Sequence, residues 1–269
     1  MRLCILGNSH VGMLRGAQLE SPLANQSITW VAKAGTGLKG AELEGTELFF
    51  KDPQLIEALN QHGMPERVDL NSFDALVFVG DTASVFNAGQ LLQRHSVSGW
   101  PSAEPMLRKI ERTGGVPFRR QMLSQSAYLA ALSRIIESGV TYELVSQIRV
   151  VTDIPICIIP QPYPGAQLLK IEGKKNRALK RVIEERGGEY LSEILRNAHA
   201  NTFSKFTGVS ILYQPEQTIE YGCLTGRAFT RNAVRIHTDM KQPARDIIHS
   251  NPTMGHLVLE QILAALHIN

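Results

Sequence analysis

Two short segments near opposite ends of the chain carry side chains of complementary chemistry: Gly7-Asn8-Ser9-His10 and Asp246-Ile247-Ile248-His249. A serine hydroxyl is a weak nucleophile until a base takes its proton, and the base works best when a third group orients it. Three residues apart on one turn, Asp246 and His249 can set the carboxylate against one imidazole nitrogen and leave the other facing Ser9. Ser9 as nucleophile, His249 as base and Asp246 as acid are the minimum set for acyl transfer. Each segment also has a plainer explanation. Serine is a favoured helix N-cap, Asp-x-x-His is a common surface turn, and His10 suits a helix start or a local polar network. The order of the two segments, and their places beside predicted elements, favour the chemical reading.

Apolar runs at 2–6, 27–32, 74–79, 155–159 and 209–213 predict five strands. Helical spacing predicts helices from near Val11, where Met13, Leu14 and Ala17 share a face, and over 53–61, 121–137 with a continuation over 142–150, 176–186, 189–200 and 252–267. Strands alternating with helices imply a three-layer α/β/α sandwich around a mostly parallel sheet. Ligands of such folds bind beyond the carboxyl ends of the strands. Gly7-Asn8-Ser9, Gly35-Thr36-Gly37 and Gly80-Asp81-Thr82 each follow a predicted strand, so all three loops are expected on one edge. There the Ser9 N–H, at the positive end of a helix, can face a developing oxyanion, and the glycines of the second loop admit another N–H. The pattern weakens over 84–120, which is expected to be an irregular insertion that shapes the pocket within one domain, 1–269.

With 269 residues, 43% of them hydrophobic, the chain can bury a full core. A net charge of +3 without a run of like charges argues against nucleic acid as a partner. The basic stretch 170–186 is interrupted by Glu172, Glu184 and Glu185 and reads as a solvated helix face. Cys4, Cys157 and Cys223 form no C-x-x-C, so neither a metal nor a disulfide is expected, and Cys4 and Cys157 read as core residues. No apolar run reaches the length of a membrane span and no signal-like segment is visible, so a cytoplasmic location is expected. Gly35-Thr36-Gly37-Leu38-Lys39-Gly40 matches a dinucleotide fingerprint in form. It follows the second strand, opens no convincing helix, and the acidic Glu57 sits within a helix, so nucleotide binding is the weakest reading. No cofactor is called for.

In this order and placement the end segments resemble the SGNH (GDSL-like) hydrolase superfamily, and its bacterial members with G-N-S-H in the first block. Asp246-Ile247-Ile248-His249-Ser250-Asn251 and Gly255 match the family's last block, with Met254 where an aromatic residue is usual. The resemblance implies a flavodoxin-like fold with five central strands, Ser9 as nucleophile, His249 as base and Asp246 as its acid. It implies an oxyanion hole made by the N–H groups of Ser9 and of a second-block glycine, Gly35 or Gly37, with slight preference for Gly37. The family's third block is Gly-x-Asn, whose amide is the remaining donor. Here it reads Gly80-Asp81-Thr82, leaving the Thr82 hydroxyl or Asn87 as replacements. Loss of such a donor costs on the order of 100-fold or more in rate. A carboxylate beside an oxyanion would oppose it, so Asp81 is expected to cap the next helix. The implied activity is a serine esterase on an O-acyl ester of a carbohydrate or small metabolite. The alternative is a non-hydrolytic protein that binds a glycan or acylated ligand.

Overall fold

A computed structural model describes residues 1–35, 37–114, 121–173, 176–236 and 240–267. Five parallel strands form the central sheet: β1 (Arg2–Gly7), β2 (Ser27–Ala32), β3 (Ala75–Val79), β4 (Ile156–Ile159) and β5 (Val209–Ile211). Their order is β5-β4-β3-β1-β2. Because both faces are covered, the inner strands are continuous apolar runs, and β3 and β4 are buried throughout. Along β1, alternate side chains serve opposite layers. Leu3 and Ile5 join Val77, Val79, Cys157 and Ile159 under α1 (Val11–Glu20) and α9 (Pro252–His267). Cys4 and Leu6 join Leu76, Phe78, Ile156 and Ile158 on the other face. That face is covered by α3 (Val85–Leu91), α5 (Gln125–Glu137), α6 (Val140–Val151) and α8 (Gly188–Phe203), and α2 (Pro53–Asn60) and α7 (Arg177–Glu184) add Leu55, Leu59, Leu179 and Val182 to the same core. All three cysteines are buried and free.

The chain runs from β1 outward to β2 and then returns across β1 to β3. The direction of winding therefore reverses between β1 and β3, and the region beyond their carboxyl ends is the usual binding position in this topology. Both strands end level, with Gly7 beside Val79.

The stretch 84–120 is not irregular where it is described. It holds α3, a short strand His95–Val97 and α4 (Glu104–Thr113). Strand Gln121–Leu123 pairs in parallel with His95–Val97, and α5 begins only after Ser124, whose hydroxyl caps it. That pairing explains why the helix expected from 121 starts four residues later. The sequence also hides a small antiparallel sheet, Ala41–Glu44, Glu47–Phe50 and Arg67–Asp69. Among the described residues no helix is long and apolar enough to cross a membrane.

Candidate active site

Ser9 sits in the turn between β1 and α1, and the side chain before it shapes that turn. The Asn8 amide oxygen accepts from the His10 N–H at 3.0 Å, while its nitrogen donates to Asp81 Oδ1 at 2.9 Å. The amide lies flat on Gly80, where a Cβ would come within 2.6 Å of it. Gly80 itself is anchored by its N–H to Ile159 O and by the Thr141 hydroxyl on its carbonyl. Thus α6, through Thr141 in its first turn, whose N–H also bonds Asp81 O, holds the third loop against the first. Ser9 is not the N-cap of α1; His10 occupies that position, with no side-chain cap. The Ser9 hydroxyl is instead 2.9 Å from His249 Nε2, and its N–H has no partner among the described residues.

The second segment is built around Asp246. Its Oδ1 accepts from Ile248 N–H, and its Oδ2 accepts from His249 N–H at 3.1 Å and from ring Nδ1 at 2.9 Å. A carboxylate only accepts, so Nδ1 carries the ring hydrogen and Nε2 is left as the acceptor for the Ser9 O–H. Burial alone would raise the Asp246 carboxyl. The hydrogen bond and charge of His249, with the two N–H groups, outweigh burial and hold it below the usual carboxylate range. Neighbouring loops brace the turn. Gln167 donates to Asp246 O, Gly165 N–H to Ile247 O, and the Asn251 amide to Ala228 O and Arg231 O. Asn251 Oδ1 also accepts from Met254 N–H in the first turn of α9. Met254 is buried in the core beneath.

His10 lies against the pair, its ring 5.5 Å from that of His249, and is 3% exposed. Burial first, and then the neighbouring His249, push its pKa down to about 3, so it stays neutral and adds no opposing charge beside the base. Its Nδ1 is buried and has no partner among the described residues.

Of the expected oxyanion residues, Gly37 is drawn into this region and Gly35 is not. A Cβ on Gly37 would overlap the Asp81 carboxylate, whereas one on Gly35 would meet nothing within 4 Å among the described residues. Gly80 serves as the seat of Asn8. Thr82 cannot replace the missing asparagine in this arrangement. His199 Nδ1 donates to Leu195 O, so its Nε2 accepts, and the Thr82 hydroxyl 3.2 Å away gives its hydrogen there. Asn87 is held at the start of α3 by its amide oxygen. It forms a capping box with Ser84 at the start of α3, its Oδ1 accepting from both the Ser84 N–H and hydroxyl.

Ser84, not Asp81, therefore caps that helix. Asp81 adopts a left-handed backbone, φ 52°, and its carboxylate accepts from Asn8 and, at 3.4 Å, from Leu38 N–H. Burial, partly countered by those two bonds, pushes its pKa up to about 6.

Among the functional residues, the linking roles of Asn8 and Asp81, the braces Gln167 and Asn251, and the Thr82–His199 pair escaped sequence reasoning. Asn8 and Asn251 stand inside the two end motifs, so a signal existed for them. The glycine-rich stretch at 35–40 leads into strand Ala41–Glu44 instead of a helix, so the phosphate cradle of a dinucleotide site is not formed by the described residues. No group of three or more His, Cys, Asp or Glu among the described residues is arranged to hold a metal ion. The chain matches no family model, and comparisons with curated proteins and with solved structures return no match.

Proposed function

We propose that this protein is a serine hydrolase of the SGNH (GDSL-like) type that cleaves O-acyl esters of a small metabolite or carbohydrate through an acyl-enzyme on Ser9. The observation that carries the reading is the unbroken line Ser9 Oγ, His249 Nε2, His249 Nδ1, Asp246 Oδ2, with 2.9 Å at each hydrogen bond and 240 residues between serine and histidine. Ser9 Oγ attacks the ester carbonyl carbon as its proton passes to His249 Nε2. The bond from that carbon to the alcohol oxygen then breaks, and the alcohol leaves with the proton. Water repeats the sequence on the acyl-enzyme, releasing a carboxylic acid and restoring the Ser9 hydroxyl. Asp246 holds the productive tautomer and stabilises the imidazolium that forms.

The oxyanion hole we assign consists of the Ser9 and Gly37 N–H groups. With the Thr82 hydrogen committed to His199 and the Asn87 side chain held in the capping box of α3, we assign no third donor, and turnover on the order of 100-fold below that of a complete hole is expected. Ser9→Ala should lower hydrolysis of p-nitrophenyl acetate by on the order of 10⁴-fold or more, with an unchanged circular dichroism spectrum. Unchanged turnover would remove Ser9 from the mechanism.

The same missing donor, together with the Asp81 carboxylate against Gly37, favours a second reading: a protein that binds an acylated or glycan ligand without hydrolysing it. A fluorophosphonate probe separates the two. Labelling at Ser9 supports the hydrolase, and a folded protein left unlabelled supports the binder.

A further inference from the structure

Behind Asp246 the surface folds into a hollow of about 500 Å³ whose wall includes Arg227, Arg231 and Lys241. None of these cations has an ion pair among the described residues. The carboxylate on the same wall belongs to Asp246, and it is already held by the His249 ring and two N–H groups. Three like charges gathered in a concavity repel one another and focus a positive potential into it, an arrangement that an anion relieves.

The frame of the hollow is tied to the candidate triad. Asn251, two residues after His249, donates to the Arg231 and Ala228 carbonyls. Gln167 donates to Asp246 O and accepts from the Thr230 hydroxyl, which lies between the two arginines. Lys241 is fixed by a β-bridge to Val234, and Gln242 N–H bonds Ala233 O. A ligand group in the hollow would therefore stand at a set distance from Ser9, one imidazole and two hydrogen bonds away.

The geometry points to a binding site for a phosphate group on the part of the substrate that does not react. Two guanidinium forks and an ammonium match a phosphate dianion better than a neutral sugar or an alkyl chain, because the forks offer paired donors at the spacing of its oxygens. Binding energy from this remote group would orient the ester at Ser9. The kinetic half of this inference rests on the hydrolase reading; the binding half does not.

Titration of the full chain with phenyl phosphate, followed by ¹H–¹⁵N spectra, tests the site directly. Saturable shifts are expected at 227–232 and 240–244. Binding should be at least about ten-fold weaker in the Arg227→Gln/Arg231→Gln/Lys241→Gln protein, since charge-assisted hydrogen bonds are removed. Benzoate should bind more weakly than phenyl phosphate, and Arg231→Lys, which keeps the charge and loses the fork, should narrow that gap. Equal binding by the triple variant, or shifts confined to other segments, would overturn the site. In esterase assays the triple variant should lose its preference for a phosphate-bearing ester over p-nitrophenyl acetate while hydrolysing the latter unchanged. Phosphate binding without turnover of either ester would uphold the site and sink the hydrolase reading.

Discussion

Replacing Asp81 by asparagine should make this protein more stable at neutral pH and leave it nearly unchanged in acid. Asp81 is a carboxylic acid with a pKa pushed from 3.8 up to about 6 by burial, which the bonds from Asn8 and Leu38 only partly offset. In the unfolded chain the same group ionises near its ordinary value. Between about pH 4 and pH 6 the native state therefore holds a proton that the unfolded state has released, so stability falls as pH rises through that window and stays lower above it. A shift of two units corresponds to a ceiling of roughly 3 kcal/mol, and solvent screening of a half-buried group reduces this to about 1–3 kcal/mol.

Asparagine mimics the protonated acid. It keeps one oxygen for the 2.9 Å bond from Asn8, sacrifices the longer bond from Leu38, and tolerates the left-handed backbone at this position. Urea denaturation followed by circular dichroism, run on both proteins between pH 4.5 and 8, reads the effect. Acid-labile groups common to both cancel in the difference. The buried His10 and His199, whose pKa values burial lowers to about 3 and about 4, are the main ones. They contribute stability that disappears as pH falls below the ordinary histidine range. The advantage of Asp81→Asn should be about a third of its final size at pH 4.5 and grow to about 1–3 kcal/mol by pH 8. A difference that does not change with pH, or a wild-type protein that is the more stable at pH 8, would refute the assignment of an uncompensated carboxylate at this loop.

Four further outcomes are expected. Asp246→Asn should reduce ester turnover by on the order of 10⁴-fold, since the wrong tautomer of His249 then faces Ser9; a stopped assay with p-nitrophenyl acetate measures it. Asn87→Ala should cost about 1 kcal/mol through loss of the capping box and leave that turnover unchanged; a large fall in kcat would return Asn87 to the oxyanion hole. His10→Phe keeps a ring beside His249 and removes a buried orphan nitrogen, so urea titration should show equal stability or a gain of about 1 kcal/mol. Gly255→Ala drives a methyl group into the Met13 carbonyl between α1 and α9 and should destabilise by about 3 kcal/mol in the same measurement.

The elements that announced themselves in the sequence are those whose burial is nearly complete. Residues 3–6, 75–79 and 156–159 are apolar on both faces, and no solvent-facing alternation blurs them. His95–Val97 and Gln121–Leu123 are three-residue strands, too short for any period to register, and 121–123 borrowed the helical pattern of the residues after it. The site divides along the same physical line. Ser9, His249 and Asp246 were legible because each pairs within a turn or stands at an element boundary. Thr82 was not, because its hydrogen goes to His199, 117 residues away, which no local pattern encodes.

The meeting of the two chain ends follows from helix packing more than from the motifs themselves. Ser9 stands just before α1 and His249 just before α9, and these two helices cover one face of the sheet side by side. Gly255 lets α9 settle on the Met13 carbonyl, and Gly16 meets Pro252, where a Cβ would lie 2.8 Å from the proline ring. The first turns of both helices are thereby held together near the carboxyl ends of β1 and β3. The serine-to-histidine distance is in this sense a property of a glycine-lined helix contact, so a substitution that widens that contact should separate Ser9 from His249 before it unfolds the sheet. Gly16→Ala is the milder probe, since it presses on the Pro252 ring and the Val234 side chain and not on backbone. Its turnover of p-nitrophenyl acetate should fall by more than its loss of stability accounts for, and a proportional loss of both would place control of that distance elsewhere.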